Sequence, residues 1–148
     1  MNHIVVGVDG SPAAAAALRW AAAEALRRDA DLVAVRAWVP AAGRAAVREA
    51  DLAGERSTIR RRTADWVLDA LGPVPDDLRV RVDVTVGRPV AVLLGAARRA
   101  DLLVLGYDDV TALRPRQTAR RCRQAARCRV VVVRASDETP DSLLGVPA

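Results

Sequence analysis

Five short aliphatic runs, interleaved with helical patterns, constrain this chain more than any other feature. The runs are HIVVGVD (3–9), DLVAVRAW (31–38), RVRVDVTV (79–86), DLLVLG (101–106) and RVVVVRA (129–135). The first and the last two are almost unbroken apolar stretches, as strands covered on both faces require. RVRVDVTV instead alternates strictly, placing Val80, Val82, Val84 and Val86 on one face, and this predicts an edge strand. Ser11-Pro12 supplies a hydroxyl cap and a proline for the first helical position. The helix that follows, to about Arg28, carries Ala14, Ala17, Leu18, Ala21, Ala25 and Leu26 on one face. A second helical pattern, about 45–71, stops at Gly72-Pro73. A third starts at Gly87-Arg88-Pro89 and presents Val90, Leu93, Leu94 and Ala97. A fourth, about 118–127, starts near Thr118. Strict β-α alternation implies a parallel sheet with right-handed crossovers, hence one doubly wound α/β domain over 1–135. The tail 136–148 is polar and proline-containing before it ends in Leu143, Leu144 and Val146.

A chain of 148 residues with no Phe, one Tyr and three Trp must build an aliphatic core for a single domain. No apolar run approaches the ~18 residues that cross a bilayer, and the start lacks the pattern of a secretory leader. With two cysteines, Cys122 and Cys128, spaced for neither zinc nor a redox pair, this predicts a cytoplasmic protein that makes no membrane contact. The 23 basic residues outnumber 18 acidic ones, giving +5. All are arginine, and alanine is abundant, a joint bias that GC-rich coding produces. The arginines are spread along the chain, and no basic arm, zinc motif or aromatic-basic signature accompanies them. Nucleic-acid binding is therefore the lesser alternative. Arg60-Arg61-Arg62 reads as a solvated helix face.

IVVGVDGSPAAAAALRWAAAEA, LVAVRAWVP, VTVGRPVAVLLGAARRADLLVLG and RCRVVVVRA, in that order and spacing, resemble the universal stress protein family over residues 3–135. The resemblance implies a Rossmann-like five-stranded parallel sheet in the order 3-2-1-4-5, a homodimer and, in many members, an ATP site. In that order the chain reverses between strands 1 and 4, and open α/β sheets bind ligands at the carboxyl ends flanking such a switch. Those ends are Val8, Asp9, Gly10 and Ser11 on one side and Gly106 and Tyr107 on the other. Gly10 permits a tight turn, helix N–H groups can meet an anion, and Asp9 can accept from a ribose hydroxyl or an adenine amine. Strand 2 contributes near Val35, Arg36 and Ala37. Trp38 and Tyr107 are candidates to stack on a base or to lid the sheet. Without a ligand, Asp9-Gly10-Ser11 is a helix-capping turn.

ATP-binding members resembling this chain carry Gly-x2-Gly-x9-Gly-Ser/Thr after strand 4. Here only Gly106 matches. Asp109 stands at the second glycine, and Ala119 and Arg120, or in a shortened loop Arg116 and Gln117, stand at the last two positions. Thr118 is the nearest hydroxyl. Asp108 and Asp109 repel a triphosphate, while Arg114, Arg116, Arg120 and Arg121 could contact phosphate or pair with those aspartates. The pairing is the simpler account. The chain has no Lys for a phospho-acceptor site, its one histidine, His3, lies at the far end of strand 1, and no nucleophile has a base beside it. The expectation is a dimeric regulatory or stress-response module that is not an enzyme and does not bind ATP through the glycine loop. The alternative is an ATP- or AMP-binding module using the crevice. The last strand, with Val130, Val131, Val132 and Val133, is an apolar edge expected to pair with its symmetry mate. A protein partner is expected but not identified by the sequence.

Overall fold

The computed structural model describes residues 2–40, 49–107 and 113–135. Five strands, β1 (His3–Gly7), β2 (Asp31–Trp38), β3 (Val80–Val86), β4 (Leu102–Tyr107) and β5 (Arg129–Arg134), alternate with four helices, α1 (Pro12–Arg28), α2 (Glu49–Leu71), α3 (Pro89–Ala96) and α4 (Leu113–Ala125). A 3-10 turn, Ala97–Arg99, joins α3 to the approach of β4. The sheet is wholly parallel and ordered β3-β2-β1-β4-β5, as expected.

Alternation along the strands divides the core in two. Ile4, Val6, Leu32, Ala34, Leu102 and Val104 meet the alanines of α1 and Val67 of α2 on one face. Val5, Val33, Val35, Leu103 and Leu105 meet α3 and α4 on the other. The central strands are therefore sealed on both sides, whereas β3 alternates between valines that are buried (Val84) or half-buried and the polar Arg81, Asp83 and Thr85. Alanine-rich α1 lies close to the sheet because its small side chains hold its backbone near β1 and β4. Ala17, Leu18 and Ala21 are completely buried. Its N-cap is Ser11, with Pro12 in the first turn. Leu26, expected on the buried face, is instead 39% exposed. It sits in the last turn, where Asp29 adopts a left-handed φ of 54° and the chain turns away into β2.

α4 begins five residues before Thr118. Pro115 does not prevent this, because it falls in the first turn, where its missing N–H has no helical acceptor to lose. Thr118 accordingly sits in the second turn. Asp108, Asp109 and the tail from Ser136 onward lie outside the described residues, as do the side chains of Arg114 and Arg116. The expected pairing of Asp108 and Asp109 with those arginines falls there too. Among the described residues no helix is long and apolar enough to cross a membrane.

Candidate functional site

The carboxyl ends of β1 and β4 open into a crevice of about 200 Å³ between α3, α4 and the start of α1. Gly7, Val8, Asp9 and Ser11 line it from the β1 side. Leu105 and Gly106 line it from β4, Val35 and Ala37 from β2, Pro89 and Leu93 from α3, and Thr118 and Ala119 from α4. Gly7 floors it for a steric reason. A Cβ there would come within 2.9 Å of Leu105 Cδ2 and 3.0 Å of Leu93 Cδ2, so a larger residue would have to push those leucine methyls aside.

Among the residues singled out in the sequence, Val8, Asp9, Ser11, Ala37, Gly106 and Thr118 therefore meet at one place. Gly10 and Tyr107 do not line it. Gly10 makes the turn between them, with φ 82° and open space around its Cα. Tyr107 lies beside β5, with the Arg134 guanidinium 5.9 Å from its ring centre, near enough for a cation–π contact. Trp38 is buried at the end of β2, outside the cavity lining, and its carbonyl accepts the Gly87 N–H at 2.9 Å. Arg116 lies in the first turns of α4. Gln117 and Arg120 are exposed there, and Ala119 is buried against the cavity. Sequence reading missed Pro89 and Leu93. They stand four residues apart on one face of α3, and that spacing was the available signal.

The start of α1 is largely self-satisfied. The Asp9 carboxylate accepts the Ser11 N–H at 2.9 Å, the Ser11 hydroxyl accepts the Ala14 N–H at 3.1 Å, and the Ser11 carbonyl accepts the Ala15 N–H at 3.0 Å. Pro12 has no N–H. Of the helix's first donors only the Ala13 N–H has no acceptor among the described residues, so this terminus has little left to offer an anion. Nor does any cationic side chain among the described residues line the cavity. Among the described residues no cluster of His, Cys, Asp and Glu could hold a metal. Cys122 and Cys128 are free thiols. Burial, and secondarily the nearby Cys128, pushes the Cys122 thiol up to about 11, which fits packing and not nucleophilic work.

A doubly wound parallel sheet with its one switch point opening into a small, mainly apolar crevice defines a Rossmann-like α/β fold. The universal stress protein family model matches residues 1–134, and the chain belongs to that family. Universal stress protein Rv2028c of Mycobacterium tuberculosis is 34% identical over 139 residues, covering 88% of this chain and 47% of that protein. The chain spans about half the length of the curated relatives it matches. The Archaeoglobus fulgidus universal stress protein in complex with dAMP superposes with TM-score 0.63 at 21% identity, over 90% of this chain and 98% of that one. An Arabidopsis thaliana universal stress family protein with AMP bound gives 0.60 at 14% identity, over 96% and 95%. At those identities the likeness establishes the fold.

Proposed function

We propose that this chain is a stress-response binding module, not an enzyme, whose crevice receives the nucleoside part of an adenine mononucleotide and does not grip a triphosphate through a glycine loop. The observation that carries this is the distribution of polar groups around the cavity. Asp9 has a second carboxylate oxygen beyond the one held by Ser11, suited to a ribose hydroxyl or an adenine amine. Small apolar walls from Ala37, Val35, Leu93 and Leu105 suit a flat base. The phosphate side is poor by comparison: among the described residues it has one free helix N–H and no lining cation, and the sequence keeps only Gly106 of the family's glycine set. A volume of about 200 Å³ is below the range of about 300–1,000 Å³ common for drug-sized ligands. Bound dAMP and AMP in proteins of the same fold support the choice of ligand class.

The module acts as a homodimer, paired through the edge of β5. β5 ends the strand order and pairs only with β4 among the described residues, and an apolar edge of this kind supports pairing with a second copy.

Mass spectrometry of freshly purified protein, followed by calorimetric titration with AMP and ATP, tests the crevice reading. AMP and ATP should bind with affinities within about threefold of each other, because the added phosphates find no partners. ATP binding more than tenfold tighter than AMP contradicts it, and so does the absence of binding by either. Ala37→Leu, which fills the cavity wall, should weaken AMP by at least tenfold without unfolding the chain.

A further inference from the structure

In the linear sequence the arginines are dispersed, but the fold sorts them. Through residue 86 twelve arginines are balanced by twelve acidic residues, whereas residues 87–135 hold eleven arginines and three aspartates. This second part builds α3, α4, β4 and β5, and it brings the exposed arginines of α4 and of the turn after α3 to the α3–α4 side of the sheet. α4 alone has five arginines and no acidic residue in 13 positions. Its Arg120, Arg121 and Arg123 are exposed, while Ala119 and Cys122 turn inward. Arg98 and Arg99 precede β4, and Arg127 and Arg129 lead into β5. Because Leu102 and Arg129 are register partners in adjacent parallel strands, these two exposed pairs enter the sheet side by side, although Arg129 itself shares the face of Leu102 and turns towards α1. None of these seven arginines forms an ion pair among the described residues. Among the described residues the acids on this side are Asp101, which accepts the His3 N–H at 2.8 Å, Asp83, which lies beside α3 and pairs with Arg81 at 3.3 Å, and Asp9 in the crevice.

We propose that the α3–α4 face binds the phosphate backbone of nucleic acid without reading its sequence. Guanidiniums with no carboxylate partner among the described residues favour phosphate, which they can hold bidentately. What the face lacks selects among polyanions. A protein interface needs apolar or aromatic anchors at its centre, and a membrane-bound helix needs an apolar wedge. The exposed large hydrophobics among the described residues are Leu26, Val39 and Leu68, all outside α3 and α4. No aromatic side chain stands among these arginines to stack on a base, so the contacts are to phosphate alone. The crevice plays no part in this binding, and AMP should not compete with it.

The test is fluorescence anisotropy of the full chain with a labelled DNA duplex of about 20 base pairs, between about 50 and 200 mM salt. Two duplexes of unrelated sequence should bind alike, with log K falling against log salt at a slope near −4, or four to five phosphates at about −0.9 each. Arg120→Glu combined with Arg123→Glu and Arg127→Glu should weaken binding at least tenfold at the lower salt. Arg60→Glu, Arg61→Glu and Arg62→Glu together make the same change in net charge on α2, across the sheet, and should leave affinity within about threefold. Circular dichroism verifies that both triple variants fold. The proposal is overturned by no binding at the lower salt, by equal losses in the two triple variants, or by tighter binding to anionic phospholipid vesicles than to the duplex.

Discussion

A Cβ placed on Gly106 would stand 2.4 Å from the carbonyl carbon of Ala13 and 2.7 Å from the Ala14 nitrogen. The first turn of α1 is thus pressed directly onto the end of β4, and the obstruction is backbone, which cannot rotate aside. The one glycine retained from the family's phosphate motif has a packing duty that exists without any ligand. Gly106→Ala should lower the melting temperature, at a cost of about 1–3 kcal/mol for overpacking, roughly 2–4 °C per kcal/mol in a chain of this size. Gly106→Val should be worse. Loss of nucleotide binding in either variant would report this collision. An unchanged thermal melt for Gly106→Ala would contradict the packing account.

Ser11 occupies the N-cap, and its hydroxyl takes the Ala14 N–H. Ser11→Ala should cost about 1 kcal/mol of stability, or about 2–4 °C in melting temperature. It also releases a second N–H at the mouth of the crevice. If the start of α1 is a weak anion site because its donors are already used, inorganic phosphate should protect Ser11→Ala against heat more than it protects the parent chain. Equal protection of both would show that capping does not limit anion binding there.

Much of this arrangement is legible in the sequence, for reasons that differ by element. DLVAVRAW becomes β2 without adjustment because hydrophobic periodicity and strand length agree there. Ser11-Pro12 marks the start of α1 because both residues act locally. The strand order rested on resemblance, since alternation alone permits several orders. The start of α4 was misplaced because Pro115 reads as a breaker unless it falls in a first turn. Leu26 was misassigned because helical periodicity does not say where the sheet ends. Pro89 and Leu93 reach the crevice through the packing of α3 on β2, a relation between distant segments that their shared helix face hints at but does not specify. The basic face escaped for the same reason.

Glu24 accepts hydrogen bonds from Arg27 and, at 2.6 Å, from Arg28 within α1. The Arg27 hydrogen bond, only partly opposed by burial, holds the Glu24 carboxyl below its ordinary value near 4.5. Asp31 is likewise lowered, first by its hydrogen bond from Arg79. A carboxylate whose value is lower folded than unfolded contributes stability that is complete above the unfolded value and is lost as pH falls through the folded one. Melting temperature should therefore fall as pH drops from about 5 towards 3, in the window set by these carboxylates. Glu24→Gln should be less stable at neutral pH and show a shallower decline on acidification. A Glu24→Gln profile parallel to that of the parent chain would remove Glu24 from the account.

The two edges of the sheet are finished differently, and this decides which one should pair. The Gly87 N–H and the Arg79 carbonyl both bond to β2, so by alternation Val80, Val82, Val84 and Val86 turn their backbone groups outward. Arg56 of α2 reaches over that edge and donates to the Val84 carbonyl from Nε at 3.1 Å and from its terminal nitrogen at 2.9 Å. A charged side chain standing on an edge strand blocks the approach of another chain. On β5 the Ala135 N–H bonds to Tyr107, so Val130, Val132 and Arg134 present the outward groups, and among the described residues no side chain donates to them. Val132→Pro removes one outward N–H while leaving the bonds to β4 intact, a substitution an edge strand tolerates. It should turn the dimer into a monomer by light scattering at micromolar concentration with only a modest fall in melting temperature. Arg56→Ala should keep the dimer but raise concentration-dependent aggregation, because the second edge is then open as well. A parent chain that is monomeric, or a Val132→Pro variant that still dimerises, would exclude pairing through β5.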